Sequence, residues 1–284
     1  LSCHVLSEKC RRQVHLRGTE MGRNIQAMTS SAVMYARNKF SLIPVWLWVL
    51  QIVITSFFTM FFFAVMADYV NNPDLTVRYV VIGNMVQSIA ATTLFSVADI
   101  PGTEKHTGML SSLVQSPASL FSIFMGMSML NILSGLISAT LSLCYAQFIF
   151  GIDLSAANFL SIAVIFLLTT LSLTGLGMAV GSVGLRLRTS TIIANIVSYI
   201  GLLICGVNFP ISYLPEWVQF FSYLNPLTYA VNATRGAADG MGIAEISGDL
   251  TVMVILGAAY LLISFILFSV FEKRMRDLGL YDSF

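Results

Sequence analysis

Six long stretches of this chain contain no Asp, Glu, Lys or Arg: approximately Pro44–Met66, Tyr79–Ala98, Leu120–Ile149, Ala156–Val183, Thr189–Phe209 and Leu250–Phe271. A helix needs about 20 mainly apolar residues to cross a hydrocarbon core of roughly 30 Å, and each run is long enough. The chain has 284 residues, 56% of them hydrophobic and only 10% charged, against roughly 25% charged in an ordinary soluble domain. A water-soluble fold of that composition would expose more apolar surface than such proteins tolerate. In lipid each backbone polar group must be satisfied within the protein, so the runs are expected to be helices. The expected fold class is an all-α integral membrane protein with six transmembrane helices. The long third and fourth runs predict interfacial ends or tilt.

Basic residues fix the expected sidedness, because cytoplasmic segments near span ends retain Lys and Arg. Six crossings put both termini on one side, and 13 of the 15 Lys and Arg then fall there; Arg78 and Arg235 are left on the other. Both ends are therefore expected to be cytoplasmic. The first 43 residues are charged and polar, which predicts no cleavable leader. The division that follows is a tail over 1–43, a six-span domain over 44–271 and a second tail over 272–284. A net charge of +1 gives no sign of nucleic-acid binding. Cys3, Cys10, His4 and His15 fit no zinc spacing, and the four cysteines form no disulfide framework.

Three connections carry more information. Residues 26–40 place Met28, Ala32, Tyr35 and Lys39 at helical spacing, predicting an amphipathic helix at the inner interface with its cations near lipid phosphates. In the first inner loop, Thr103 is placed to cap a helix over about 103–115 with Glu104 in its first turn. Leu110, Leu113 and Val114 form its apolar face, which either docks a partner protein or rests on the membrane. The last outer segment, about 210–247, carries Pro215 and Trp217, then Asn225, Pro226 and Tyr229. Its prolines suit helix starts and its aromatics mark an interface, predicting a helical hairpin that re-enters the outer leaflet.

Polar residues recur at helical spacing in two spans. Asn84, Gln87, Ser88 and Ala91 follow i, i+3, i+4, i+7 in the second run, and Thr191, Asn195, Ser198 and Leu202 follow a similar course in the fifth. Uncharged polar groups in lipid need partners, so these faces either line a path or bond helix to helix. Gly175-x-Gly177-x-x-x-Gly181 reads as small-residue helix packing.

Glu104-Lys105-x-x-Gly108-Met109-Leu110 followed by Ser116-Pro117, together with Leu214-Pro215-x-Trp217 and Asn225-Pro226-x-x-Tyr229 before Arg235, resembles the membrane subunit of type-2 ATP-binding-cassette exporters, with drug and antibiotic efflux permeases the nearest flavour. Met109 departs from the Thr usual in that motif. The resemblance implies six spans, a coupling helix and a re-entrant outer hairpin. It also implies a cell-membrane location, a second identical or homologous permease, and an ATPase subunit docked at Glu104, Lys105, Gly108, Leu110 and Leu113. In that family the second and fifth helices of two copies line the central path, which favours a path role for Asn84, Gln87, Ser88, Thr191, Asn195 and Ser198.

The chain has no G-x-x-x-x-G-K-[ST] segment with which to cradle nucleotide phosphates. It is thus expected to be non-catalytic and to bind no cofactor, with ATP and Mg held by the partner. A charge-free path suits amphipathic or lipid-like cargo, such as a drug or antibiotic, with a lipid-linked glycan or a peptide as the alternative. A secondary transporter would use intramembrane charges as ion relays, and the spans have none. A membrane-embedded enzyme would need a catalytic constellation at a common depth, and no such set is visible.

Overall fold

A computed structural model describes residues 2–70, 72, 75–185 and 190–278, with side chains for 22–70, 72, 75–185, 192 and 195–275. The described residues are helical, with no strand among them: α1 (Ser2–Leu42), α2 (Val45–Val70), α3 (Val77–His106), α4 (Met109–Gln115), α5 (Leu120–Phe148), α6 (Phe159–Gly184), α7 (Ser190–Ile204), a 3-10 turn (Ile211–Tyr213), α8 (Glu216–Tyr223), α9 (Pro226–Ala238) and α10 (Ser247–Leu278). Side-chain caps set several of the starts. Thr76, Ser119, Asn158 and Asn225 each accept a hydrogen bond from a first-turn backbone N–H of α3, α5, α6 and α9 respectively, satisfying donors that a helix leaves orphaned.

Five of these helices, α2, α3, α5, α6 and α10, are long and apolar enough to cross a membrane. In the fifth uncharged run the described helix, α7, has 15 residues, about 22 Å at 1.5 Å per residue, and it ends at Ile204, before the run does. Its helix stops because Gly206 turns left-handed at φ 78° and the chain after it is held by side chains from α3 and α9.

Helix α3 is the axis of the bundle, packed against α2, α5, α6, α7 and α9. It is buried on nearly every face, its polar residues Asn84, Gln87 and Ser88 included. Glycines let the neighbours approach. A Cβ on Gly177 or Gly181 of α6 would stand 3.1 Å from Leu94 O and 2.9 Å from Ala98 O of α3, while one on Gly175 would stand 2.8 Å from Gly257 O of α10. Two of the three glycines thus seat α6 on α3 and the third seats it on α10, as close small-residue packing in a membrane requires. Helices α2 and α10 sit at the periphery, with Phe58, Phe62, Tyr69, Ile255 and Leu262 exposed to whatever surrounds the bundle.

Three expected boundaries differ. The amino-terminal helix is longer than residues 26–40 and lies along α5, where the Met28 backbone meets Gly126 and Asn24 Oδ1 accepts from Ser119 N at 3.3 Å. Its Tyr35 side packs against protein. Thr103 does not cap a helix: α3 runs through Pro101 to His106, and the Thr103 hydroxyl donates to Asp99 Oδ2 one turn earlier at 3.1 Å. The inner helix starts at Met109, because Gly108 at φ 74° supplies a left-handed corner that a side chain would strain. At the other end of the chain, α10 continues past Phe271 to Leu278.

Candidate functional site

The corner between α3 and α4 lies at the basic end of the bundle. One side of α4 is sunk into protein, with Leu110 and Val114 each 1% exposed. They join an apolar cluster with Val97 and Ile100 of α3, Leu120 and Phe124 of α5, Met178 of α6 and Phe268 of α10. Leu113 packs at the edge of the same cluster. Glu104, in the last turn of α3, is buried, and its Oε2 has no hydrogen-bond partner. Lys105 Nζ donates to Leu185 O at the end of α6 at 3.2 Å. The corner therefore faces inward through Glu104, Lys105 and Leu110, and outward through His106, Thr107, Gly108, Met109, Ser112 and Gln115, all exposed. Of these outward residues the sequence motif includes Gly108 and Met109 but not Ser112 or Gln115, although the spacing of the buried set already places Met109, Ser112 and Gln115 on the opposite face of the helix. Leu110 and Val114 thus connect the exposed side of the corner to four long helices.

The polar stripe of α3 is buried: Asn84 is 2%, Gln87 8% and Ser88 6% exposed. Asn84 Nδ2 donates to Asn208 Oδ1 at 3.0 Å, and Asn208 Nδ2 donates to Gln87 Oε1 at 3.2 Å. This amide chain ties α3 to the segment that follows α7. Ser88 faces α5, where the Ser142 hydroxyl donates to Ser88 Oγ at 2.7 Å and the Ser138 hydroxyl donates to Ser88 O at 3.2 Å. On α7, Asn195 is half-buried, while Ser198 is 1% exposed and its Oγ has no hydrogen-bond partner. The side chain of Thr191 lies outside the described residues. Ser198 lines an apolar pocket of about 530 Å³ with Leu94, Val180, Trp217, Phe221 and Tyr260.

The opposite end of the bundle is closed by the segment 205–247. Pro215 precedes α8 at its cap position and Pro226 occupies the first turn of α9. Asn225 does two jobs: its Oδ1 accepts from Leu227 N, and its Nδ2 donates to Gly201 O of α7 at 2.9 Å. The Tyr229 hydroxyl donates to Tyr223 O at 3.1 Å. Trp217 is 71% exposed on the outward rim of α8. Helix α9 packs among α3, α6 and α10.

Arg235 of α9 enters the sequence reading through its charge and as the end of the hairpin motif, with no role assigned to it. Its guanidinium lies 3.5 Å from the Tyr79 ring centroid, and Nη2 donates to Gly206 O and Val207 O at 3.1 and 3.0 Å. Gly83 of α3 makes room for this: a Cβ there would stand 2.5 Å from Val207 O. An Arg among apolar and aromatic residues near a membrane needs such partners, and that signal was available in the sequence. Nearby, Arg78 pairs with Asp239 at 2.7 Å.

The model of one known family, described as ABC-2 type transporter, matches residues 23–238, from α1 through the end of α9. The chain belongs to the ABC-2 type transporter family. Two curated relatives are named probable multidrug ABC transporter permease YbhR, from Escherichia coli strain K12 and from Escherichia coli O157:H7. Each is 24% identical over 167 residues, which are 58% of this chain and 45% of the relative. The match thus spans less than half the length of these relatives. Family membership and the apolar helices make this chain a multi-pass membrane protein that carries the membrane region of an ABC transporter.

Proposed function

We propose that this ABC-2 membrane subunit is the permease of an ATP-driven exporter in the cell membrane, with both chain ends cytoplasmic. A separate ATPase, which holds the nucleotide and Mg, docks beneath the α3–α4 corner. The observation that carries this reading is the two-faced build of that corner: Met109 and Ser112 face out, while Leu110 and Val114 lock into a cluster shared by α3, α5, α6 and α10. Nucleotide-driven closure of the motor would tilt all four helices as a group. Glu104, Lys105 and Gly108 then set the angle of the corner, and Leu110 and Leu113 anchor it. Two such permeases, identical or homologous, would face each other, consistent with the exposed apolar faces of α2 and α7.

The cargo we infer is amphipathic or lipid-like, as a drug or antibiotic would be. Supporting this, the Asn84–Asn208–Gln87 chain, Asn195 and Ser198 offer uncharged polar groups beside apolar walls, and the curated relatives carry the word multidrug in their names. Thr191 completes the set by its position in α7. The hairpin around Pro215, Trp217, Asn225, Pro226 and Tyr229 would form the outer closure. The test is reconstitution of the permease with its ATPase in proteoliposomes, with ATP hydrolysis and dye export followed together. The expected outcome is hydrolysis that rises with amphiphile concentration, and export that stops when nucleotide is withheld. Export driven by an ion gradient without ATP would contradict the reading.

A further inference from the structure

A second site lies between α1, α2, α3 and α5, away from the α3–α4 corner and the outer closure. Here a cavity of about 240 Å³ is lined by Lys39, Gln51, Thr55, Thr92, Ser96 and Ser134. It is the polar cavity of the bundle among those described, and it has a cation at its mouth. Lys39 sits in the last turn of α1, just before the chain turns at Pro44 into α2. Its ammonium lies 5.8 Å from the Tyr35 ring centroid and 5.9 Å from that of Trp48, and Phe40 packs edge-on against Trp48 at 5.4 Å. Among the described residues Lys39 has no carboxylate partner. Burial lowers its pKa below the ordinary lysine value, as expected of a cation that has lost water without gaining an anion.

Two of the hydroxyls that line the cavity are taken up by their own helices: Thr92 donates to Ser88 O at 2.9 Å and Ser134 to Asn131 O at 2.8 Å. Gln51, Thr55 and Ser96 make no such bond, although Gln51 and Thr55 stand on α2, a membrane span. One ammonium held only against ring faces, one amide and two hydroxyls thus line a single cavity with no anion among them. Along α2 from the cavity, Leu47, Leu50, Ile54 and Phe58 form an exposed apolar strip leading toward the middle of the membrane.

From this arrangement we infer that the cavity is a binding site for the phosphate headgroup of an anionic phospholipid, whose acyl chains lie along the apolar strip of α2. The phosphate supplies the charge that Lys39 lacks and accepts from Gln51, Thr55 and Ser96. The tails cover the strip. This inference rests on membrane insertion and not on coupling to an ATPase, so the two can fail separately.

The test uses the purified full chain in detergent. Native mass spectrometry measures retention of dioleoylphosphatidylglycerol, dioleoylphosphatidylcholine and inorganic phosphate. The expected result is preferential retention of phosphatidylglycerol, weakened about tenfold by Lys39→Gln, the loss of one charge-assisted contact. Lys39→Arg should restore it. Arg37→Gln, on the exposed side of the same helix, should leave it unchanged. Ser96→Ala serves as a second variant that keeps the charge and is expected to weaken retention to a smaller degree. Equal retention of the two lipids overturns the inference. So does unchanged retention in Lys39→Gln, or inorganic phosphate that binds as tightly as the lipid and so needs no tail.

Discussion

Replacing Met109 by Asp is expected to abolish ATP-driven transport while leaving the permease folded. Met109 is 43% exposed at the start of α4, so the substitution removes no core contact. If an ATPase cleft closes over it, however, the new carboxylate is desolvated without a partner. A buried interface residue of that kind is worth about 2 kcal/mol or more, roughly a thirtyfold loss of docking. The checks are transport in proteoliposomes containing the ATPase, and the melting temperature of the permease alone. Leu110→Ala separates docking from anchoring: with Leu110 at 1% exposure, truncation costs about 2–5 kcal/mol of local packing and should lower both transport and melting temperature.

The second large effect is expected at the outer closure. Arg235→Ala removes the donor to Gly206 O and Val207 O and the cation above Tyr79. Hydrogen bonds to a charged group contribute about 1.5–3 kcal/mol each, so a loss of about 3 kcal/mol is expected, read as a lower melting temperature and faster proteolysis of the 205–210 segment. Gly83→Val should act on the same joint from the other side, since its Cβ would meet Val207 O at 2.5 Å. If both variants melt like the wild type, the joint does not hold the end of α7.

The sequence made the all-helical membrane class legible because lipid imposes one rule, internal satisfaction of the backbone, on every long uncharged run. The glycines of α6 were legible for a similar reason: in a membrane, small residues at helical spacing seat neighbouring helices closely. Boundaries governed by tertiary contacts were not. Gly206 is a local stop signal for α7, but the unbroken uncharged run masks it, and the contacts that Arg235, Asn84 and Gln87 make to the chain beyond it come from distant helices. Thr103 looks like a helix cap in the sequence, yet α3 continues through Pro101 and Thr103 and turns at Gly108. At the inner corner the apolar pattern correctly singled out Leu110 and Val114 as one face. It could not say that this face turns inward, with Glu104 buried beside it, until α5, α6 and α10 were seen to enclose it.

The central claim is that a separate ATPase sits beneath the α3–α4 corner, and a photo-crosslinking amino acid placed at Ser112 in membranes of the native host tests it most directly. Ser112 is exposed on α4 and can carry the probe without disturbing the core. A light-dependent adduct with one ATP-binding polypeptide is expected from Ser112, and none from the same probe at Trp217 on the opposite end. An adduct with lipid alone at Ser112, in membranes where the complex is active, would contradict it.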